Sequence, residues 1–177
     1  SNHQGKYDTL GIMHSHPTPC TIVMDYTRSM LPIVNPFIDL VKGKRLDKSD
    51  MKSQMKTILE IVEEVKAGRR YIIFPEGGYD HNKNTVQRFM PGSFKCATKA
   101  KAPIVPVAII DSYKAFDTGS TENVNVQVHY LEPITYDEYK MLKTTEVAEI
   151  VKEKIKNTIV GCMKMKNIVF LKKYIIR

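Results

Sequence analysis

No run of 18 apolar residues occurs in this 177-residue sequence, so no segment of it spans a bilayer as a helix. Cysteine is scarce: Cys20, Cys96 and Cys162 lie far apart and form no CxxC pair. That spacing argues against a disulfide framework or a cysteine zinc site and suits a reducing compartment. The phosphate-cradling loop GxxxxGK[ST] is missing, and so is the aromatic RNA-binding motif, so no nucleic-acid partner is expected. Internal repeats and low-complexity tracts are absent too. What remains is an ordinary globular composition, 42% hydrophobic and 26% charged, with length enough for one domain and its own core. The formal net charge of +8 favours anionic partners such as phosphates or an acidic membrane surface, although a solvated lysine-rich surface has the same composition. The chain begins at Ser1 and is read as a fragment or a trimmed chain.

Periodicity divides the chain into alternating strands and helices. Residues 20–24 (CTIVM), 71–74 (YIIF), 104–110 (IVPVAII) and 124–131 read as strands, and 43–47 (GKRLD) as a short link or strand. Pro106 puts the third of these at a sheet edge or a bulge. The clearest helix starts after Ser49 or Asp50, carries Met51, Met55, Ile58, Leu59, Val62 and Val65 at helical spacing, and ends at Gly68. Shorter helices are expected near residues 7–13, up to Ala100 (with Phe94 and Ala97 inward) and over 136–142. Pro32 and Pro36 break any helix over 30–41. A last helix opens at Thr145 with Val147, Ile150, Val151, Ile155 and Ile159 on one side. This order implies an α/β fold, a largely parallel central sheet flanked by helices, with chemistry beyond the carboxyl ends of the strands.

One such end is YIIFPEGGYD. Pro75 cannot continue a ladder, and Gly77 and Gly78 allow sharp turns, so Glu76 is held at the strand's end. A strand terminator with an incidental acid reads the same way. The tie is broken near the start, by NHQGKYD over residues 2–8. On an ideal helix the side chains of His3 and Asp8 point about 140° apart, so they meet only across a non-helical turn or a helix start, where Gly5 helps. A histidine held by a carboxylate is an oriented general base. His14, His16, Cys20 and His81 are poor evidence for a metal site, because three or four ligands must converge; no metal is expected. His129 and the methionines read as structural.

NHxxxxD followed by FPEG resembles the glycerophospholipid acyltransferases, above all the 1-acyl-glycerol-3-phosphate acyltransferases. Four blocks stand in the family's order: NHQGKYD; GKRLDK over residues 43–48; FPEG over 74–77; and IVPVAI over 104–109. The resemblance implies a glycerolipid acyltransferase-like fold over residues 1–161. It implies an acyl donor carried as a thioester on coenzyme A or acyl carrier protein, with no other cofactor, and a lysophospholipid acceptor whose hydroxyl becomes acylated to give phosphatidic acid. It casts His3 as general base and Asp8 as its orienting partner, Glu76 and Gly77 as shaping the acceptor site, and Arg45 and Lys48 as meeting the acceptor's phosphate. Direct attack without an acyl-enzyme agrees with the absence of a GxSxG nucleophile elbow.

Three departures bear on the head group. Lys48 stands where the second block usually ends in arginine, and a lysine offers a point charge rather than a fork. Gly78-Tyr79 replace the usual Thr-Arg after FPEG, and Arg88 or Lys83 substitutes only by folding back. Met90-Pro91 precede Gly92 where a basic residue is usual. Alternatives are therefore the same chemistry on glycerol-3-phosphate or another lysophospholipid, a non-catalytic lipid- or phosphate-binding module, or a metal-dependent hydrolase using His14, His16 and Asp8. Residues 162–177, CMKMKNIVFLKKYIIR, form a basic, apolar tail that suits either a membrane interface or packing on the core. A membrane surface is the expected partner. The expected location is the cytoplasmic face of a membrane, peripheral or anchored by a segment outside this chain.

Overall fold

The computed structural model describes residues 1–117 and 123–175. Helix α1 (Asp8–Ser15) leads into strand β1 (Thr21–Asp25), and Asp25 at once caps a single helical turn, α2 (Tyr26–Ser29). Residues around Pro32 separate α2 from α3 (Val34–Leu40), which tolerates Pro36 because its ring sits in the first turn, where the missing N–H has no helical partner to lose. Strand β2 (Lys44–Leu46) and helix α4 (Met51–Lys66) follow. The Asp50 side chain accepts the Lys52 N–H at 2.9 Å and starts α4. Gly68 ends it at φ +92°, with the Gly68 and Arg69 amides returning to Val65 and Glu64, a Schellman turn that needs glycine at this position.

Strand β3 (Tyr71–Ile72) is shorter than the apolar run that contains it. A 3-10 turn (Pro91–Phe94) then opens α5 (Lys95–Ala100), followed by β4 (Val107–Ile110), α6 (Lys114–Asp117), β5 (Gln127–Tyr130), α7 (Tyr136–Tyr139) and the long α8 (Thr144–Ile175).

β2, β1 and β3 form a parallel sheet in that order, with Val23 opposite Lys44 and Ile22 opposite Ile72. This is the expected α/β architecture. The expected parallel sheet does not extend to the two later strands: β4 and β5 pair with each other, antiparallel, with Ile109 opposite Val128. Pro106 gives no N–H, but its carbonyl accepts from Leu131 at 2.9 Å, and pairing resumes at Ile104–Ile134 with the register slipped by one residue. That slip is the bulge a proline calls for.

β4 is buried on both faces. Ala108 and Ile110 pack on α8 through Val147, Val151, Ile155 and Ile159, together with Phe89, Phe94 and Tyr139. Val107 and Ile109 face the other way, onto Ile12 of α1, Ile72 and Val128. Each fully buried branched side chain here stabilises the fold by about 1.5–3 kcal/mol relative to its exposed form. Two expected apolar faces are narrower than their periodicity suggests. On α4 only the Ile58–Ile61–Val62–Val65 side meets α5 and β1, leaving Met51 82% exposed, with Met55 and Leu59 also outward. On α8 Ile150 is exposed. In α5 Cys96, not Ala97, is the buried residue. The helix α8 crosses position 162 without a break, so the basic tail begins as its continuation; side chains from 166 onward, and residues 176–177, lie outside the described residues. Among the described residues no helix is long and apolar enough to cross a membrane.

Candidate active site

The first four residues lie between the ends of β3 and β4. The Ser1 nitrogen donates to the Ile73 carbonyl at 3.0 Å. Asn2, 1% exposed, takes the place of a strand partner for Ile109: its amide donates to the Ile109 carbonyl (3.0 Å) and its oxygen accepts the Ile109 N–H (2.8 Å). Gln4, equally buried, donates to the same carbonyl and to Asn84, and accepts from the Ser112 N–H at 3.1 Å, with the Ser112 hydroxyl oxygen 3.0 Å away. These amide side chains alternate with His3, which is thereby turned to the opposite side, towards the end of β3.

Asp8, the first residue of α1, is fully buried. Its Oδ2 accepts from His3 Nδ1 (2.6 Å), the Gln4 N–H (2.6 Å) and the Gly5 N–H (3.1 Å), and its Oδ1 accepts the Ser112 hydroxyl. An isolated buried carboxylate is very costly; four donors and a helix N-terminus supply what water would have supplied. Facing a carboxylate acceptor, His3 carries its proton on Nδ1 and leaves the Nε2 lone pair for chemistry. Nε2 makes no hydrogen bond among the described residues. The imidazole stacks on Phe74 (4.2 Å between centroids, 15° between planes) and meets Tyr79 edge-on at 4.7 Å, and its side chain stays 16% exposed.

Glu76 serves the same histidine from the other side. Its Oε1 accepts the His3 backbone N–H at 3.2 Å, the Gln87 N–H lies close to the same carboxyl, and Asn82 bridges the Glu76 carboxyl, the His3 carbonyl and the Thr85 carbonyl. Burial raises the Glu76 carboxyl to about 7, against the two N–H donors that hold it down, and the Asp8 charge adds to the rise. Gly77 has φ +73°, and a Cβ there would fall 1.8 Å from the Met90 terminal methyl, so a side chain at this turn is strained and displaces Met90. Lys48 Nζ reaches the Gly77 carbonyl at 3.0 Å and Asp25 at 3.4 Å.

The structure thus brings together His3, Asp8, Glu76, Gly77 and Lys48. The Arg45 guanidinium is engaged by Asp39 (2.7 Å) and by the Asn35 side chain (2.6 Å), with Nε buried and unpartnered among the described residues. Among the described residues no cluster of three or more histidine, cysteine, aspartate or glutamate side chains is arranged to hold a metal ion. His16 instead bonds Thr18 and meets Tyr130 edge-on.

A family model described as Acyltransferase matches residues 1–110, more than half the chain, and every residue of this cluster falls within the match. The chain belongs to the acyltransferase family. Over 168 residues it is 27% identical to the 1-acyl-sn-glycerol-3-phosphate acyltransferase of Saccharomyces cerevisiae, covering 90% of this chain and 54% of that protein. Over 149 residues it is 26% identical to the Escherichia coli protein of the same name, covering 84% and 60%. It therefore spans little more than half the length of these relatives. The crystal structure of the 1-acyl-sn-glycerophosphate (LPA) acyltransferase PlsC from Thermotoga maritima superposes with a TM-score of 0.70 at 23% identity, over 92% of this chain and 64% of that one, which shows the fold to be shared.

In this acyltransferase-family chain the sequence pattern names His3 and Asp8 but not the groups that hold them. Ser112 lies just past the matched span, and Asn2, Gln4 and Asn82 read as neutral polar residues. The available signal was NHQ itself: two amides flanking an imidazole near a strand end predict side chains that pair with backbone.

Proposed function

We propose that this acyltransferase-family chain transfers an acyl group from a thioester on coenzyme A or acyl carrier protein to the free hydroxyl of 1-acyl-glycerol-3-phosphate, giving phosphatidic acid. The observation that carries the reading is the buried Asp8 fixing His3 at Nδ1, with the imidazole still 16% exposed and Nε2 without a hydrogen bond among the described residues. The names of the yeast and bacterial relatives supply the acceptor.

Nε2 takes the proton of the acceptor hydroxyl as its oxygen attacks the thioester carbonyl. The imidazolium that forms faces the Asp8 carboxylate. Backbone N–H groups meet the tetrahedral oxyanion, each contributing about 3 kcal/mol. Collapse of the intermediate breaks the C–S bond, and the proton on Nε2 passes to the departing thiolate, so the enzyme returns to its starting state with no acyl-enzyme. Glu76 positions the base through the His3 backbone and, with Gly77, shapes the acceptor side; Lys48 adds positive charge at that loop. The reaction takes place on a lipid, at a membrane surface, with the cytoplasmic face as the side where thioester donors are made.

Thiol release from acyl-CoA and from acyl-acyl carrier protein, measured with a panel of lysolipids, tests the reading. His3→Ala abolishes turnover in a protein that stays folded; retention of most of the activity removes the general-base role. A second reading, the same chemistry on glycerol-3-phosphate or another lysophospholipid, is favoured by Gly78-Tyr79 in place of Thr-Arg, and the same panel decides it.

A further inference from the structure

We infer that Arg28 is the cation that receives the acceptor's phosphate, and that it does this from across the ring of Tyr79. The inference rests on the acyltransferase reading and names a specificity residue within it. Tyr79 occupies the position after FPEGG where the family resemblance places an arginine. The ring does not leave that side uncharged: the Arg28 guanidinium carbon lies 5.7 Å from the Tyr79 centroid, and Tyr79 in turn packs edge-on against His3 at 4.7 Å. The cation is thus delivered by α2 rather than by the FPEG loop, with the aromatic ring as its rest.

The geometry of α2 explains how. β1 runs parallel to β3, so both strands end on the same side of the sheet, and the chain leaves β1 straight into α2. Asp25 caps that turn by accepting the Arg28 N–H at 3.2 Å, which fixes the backbone of Arg28 while its side chain stays exposed. The same Asp25 accepts Lys48 at 3.4 Å, so Lys48 and Arg28 flank one end of the site.

The two cations expected at the phosphate already have partners. Arg45 is held by Asp39 and Asn35, and Lys48 by Gly77 and Asp25. Arg28 forms no salt bridge among the described residues. A guanidinium held near a ring face by its charge, 5.7 Å from the centroid, keeps N–H groups for a ligand, and their fork matches a phosphate with two parallel bonds. The ligand chemistry is a phosphate monoester, carried either by a lysolipid or by glycerol-3-phosphate.

The full chain, with Arg28→Ala, Arg28→Lys and the exchange variant Arg28→Ala/Tyr79→Arg, separates the possibilities. Turnover is followed with 1-acyl-glycerol-3-phosphate, glycerol-3-phosphate and phosphate-free 1-acyl-glycerol, and binding of the two phosphate compounds by calorimetry. Arg28→Ala raises the acceptor KM at least tenfold, leaves the donor KM within twofold and leaves phosphate-free 1-acyl-glycerol unaffected. Arg28→Lys recovers part of the loss, and the exchange variant most of it. The phosphate compound with the larger Arg28-dependent loss identifies the source. An equal effect on donor and acceptor, or wild-type acceptor binding in Arg28→Ala, overturns the assignment. A wild-type protein that turns over none of these acceptors, yet loses phosphate binding at least tenfold in Arg28→Ala, refutes the proposed reaction and upholds Arg28. Failure of the wild type to bind either phosphate compound overturns both.

Discussion

Replacing Asp8 by asparagine isolates the charge from the scaffold. Three donors converge on Oδ2: His3 Nδ1, the Gln4 N–H and the Gly5 N–H. An asparagine carbonyl in that place keeps all three. Its amide then faces the Ser112 hydroxyl, which switches from donor to acceptor and directs its own proton to the Gln4 oxygen 3.0 Å away. No buried group loses its partner, so the variant folds, and its Tm stays within a few degrees of the wild type. The Nδ1–H of His3 keeps its acceptor, so the tautomer is also kept. Only the carboxylate's attraction for the imidazolium is lost. At an effective dielectric of about 20 two unit charges about 4 Å apart attract by ~4 kcal/mol, an upper figure for this pair. A loss of 3–4 kcal/mol in the transition state lowers kcat by about 10²–10³. Thiol-release kinetics beside a thermal melt decide it. A kcat within fivefold of wild type shows that Asp8 acts by geometry alone. A collapsed melt shows that the hydrogen-bond exchange with Ser112 does not occur.

Three further outcomes follow from the same geometry. Gly77→Ala forces a side chain to φ +73° beside Met90, costing about 1–3 kcal/mol; at roughly 2–4 °C per kcal/mol for a domain of this size, the melt drops by several degrees. The Glu76 carboxyl rises from 4.5 unfolded to about 7 folded, so its stabilising contribution is whole below pH 4.5 and is lost as pH climbs through about 7. Glu76→Gln removes that dependence, and the gap between wild-type and variant melts, followed from pH 4.5 to 8, shifts in the variant's favour by about 1–2 kcal/mol after solvent screening. Arg45→Ala breaks the contacts to Asp39 and Asn35; it lowers stability by about 1 kcal/mol and leaves the acceptor KM within twofold, since this guanidinium is already occupied.

Much of this was legible in the residues because the informative signals were local. The apolar run before Pro75 announced a strand ending on Glu76, and Asp50 and Gly68 marked both ends of α4. The spacing of His3 and Asp8 required a turn, and the turn is there. What stayed hidden depends on distant pairing. Nothing in 104–110 reveals that β4 takes β5 as an antiparallel partner rather than joining the parallel sheet, because a strand buried on both faces looks the same in either setting. The spacing of Met51, Met55 and Leu59 gives a helix but not how wide a face its neighbours cover. Arg28 and Tyr79 lie 51 positions apart, and no local pattern joins them.

Asn2 and Gln4 dock the histidine's segment by binding the backbone of Ile109, a residue at the centre of the hydrophobic interior. His3, the proposed general base, is therefore fastened through its neighbours to the same strand that organises the hydrophobic packing. Melting that interior and disarming the imidazole become one event, so residual turnover along a denaturant titration should track the folded fraction point for point.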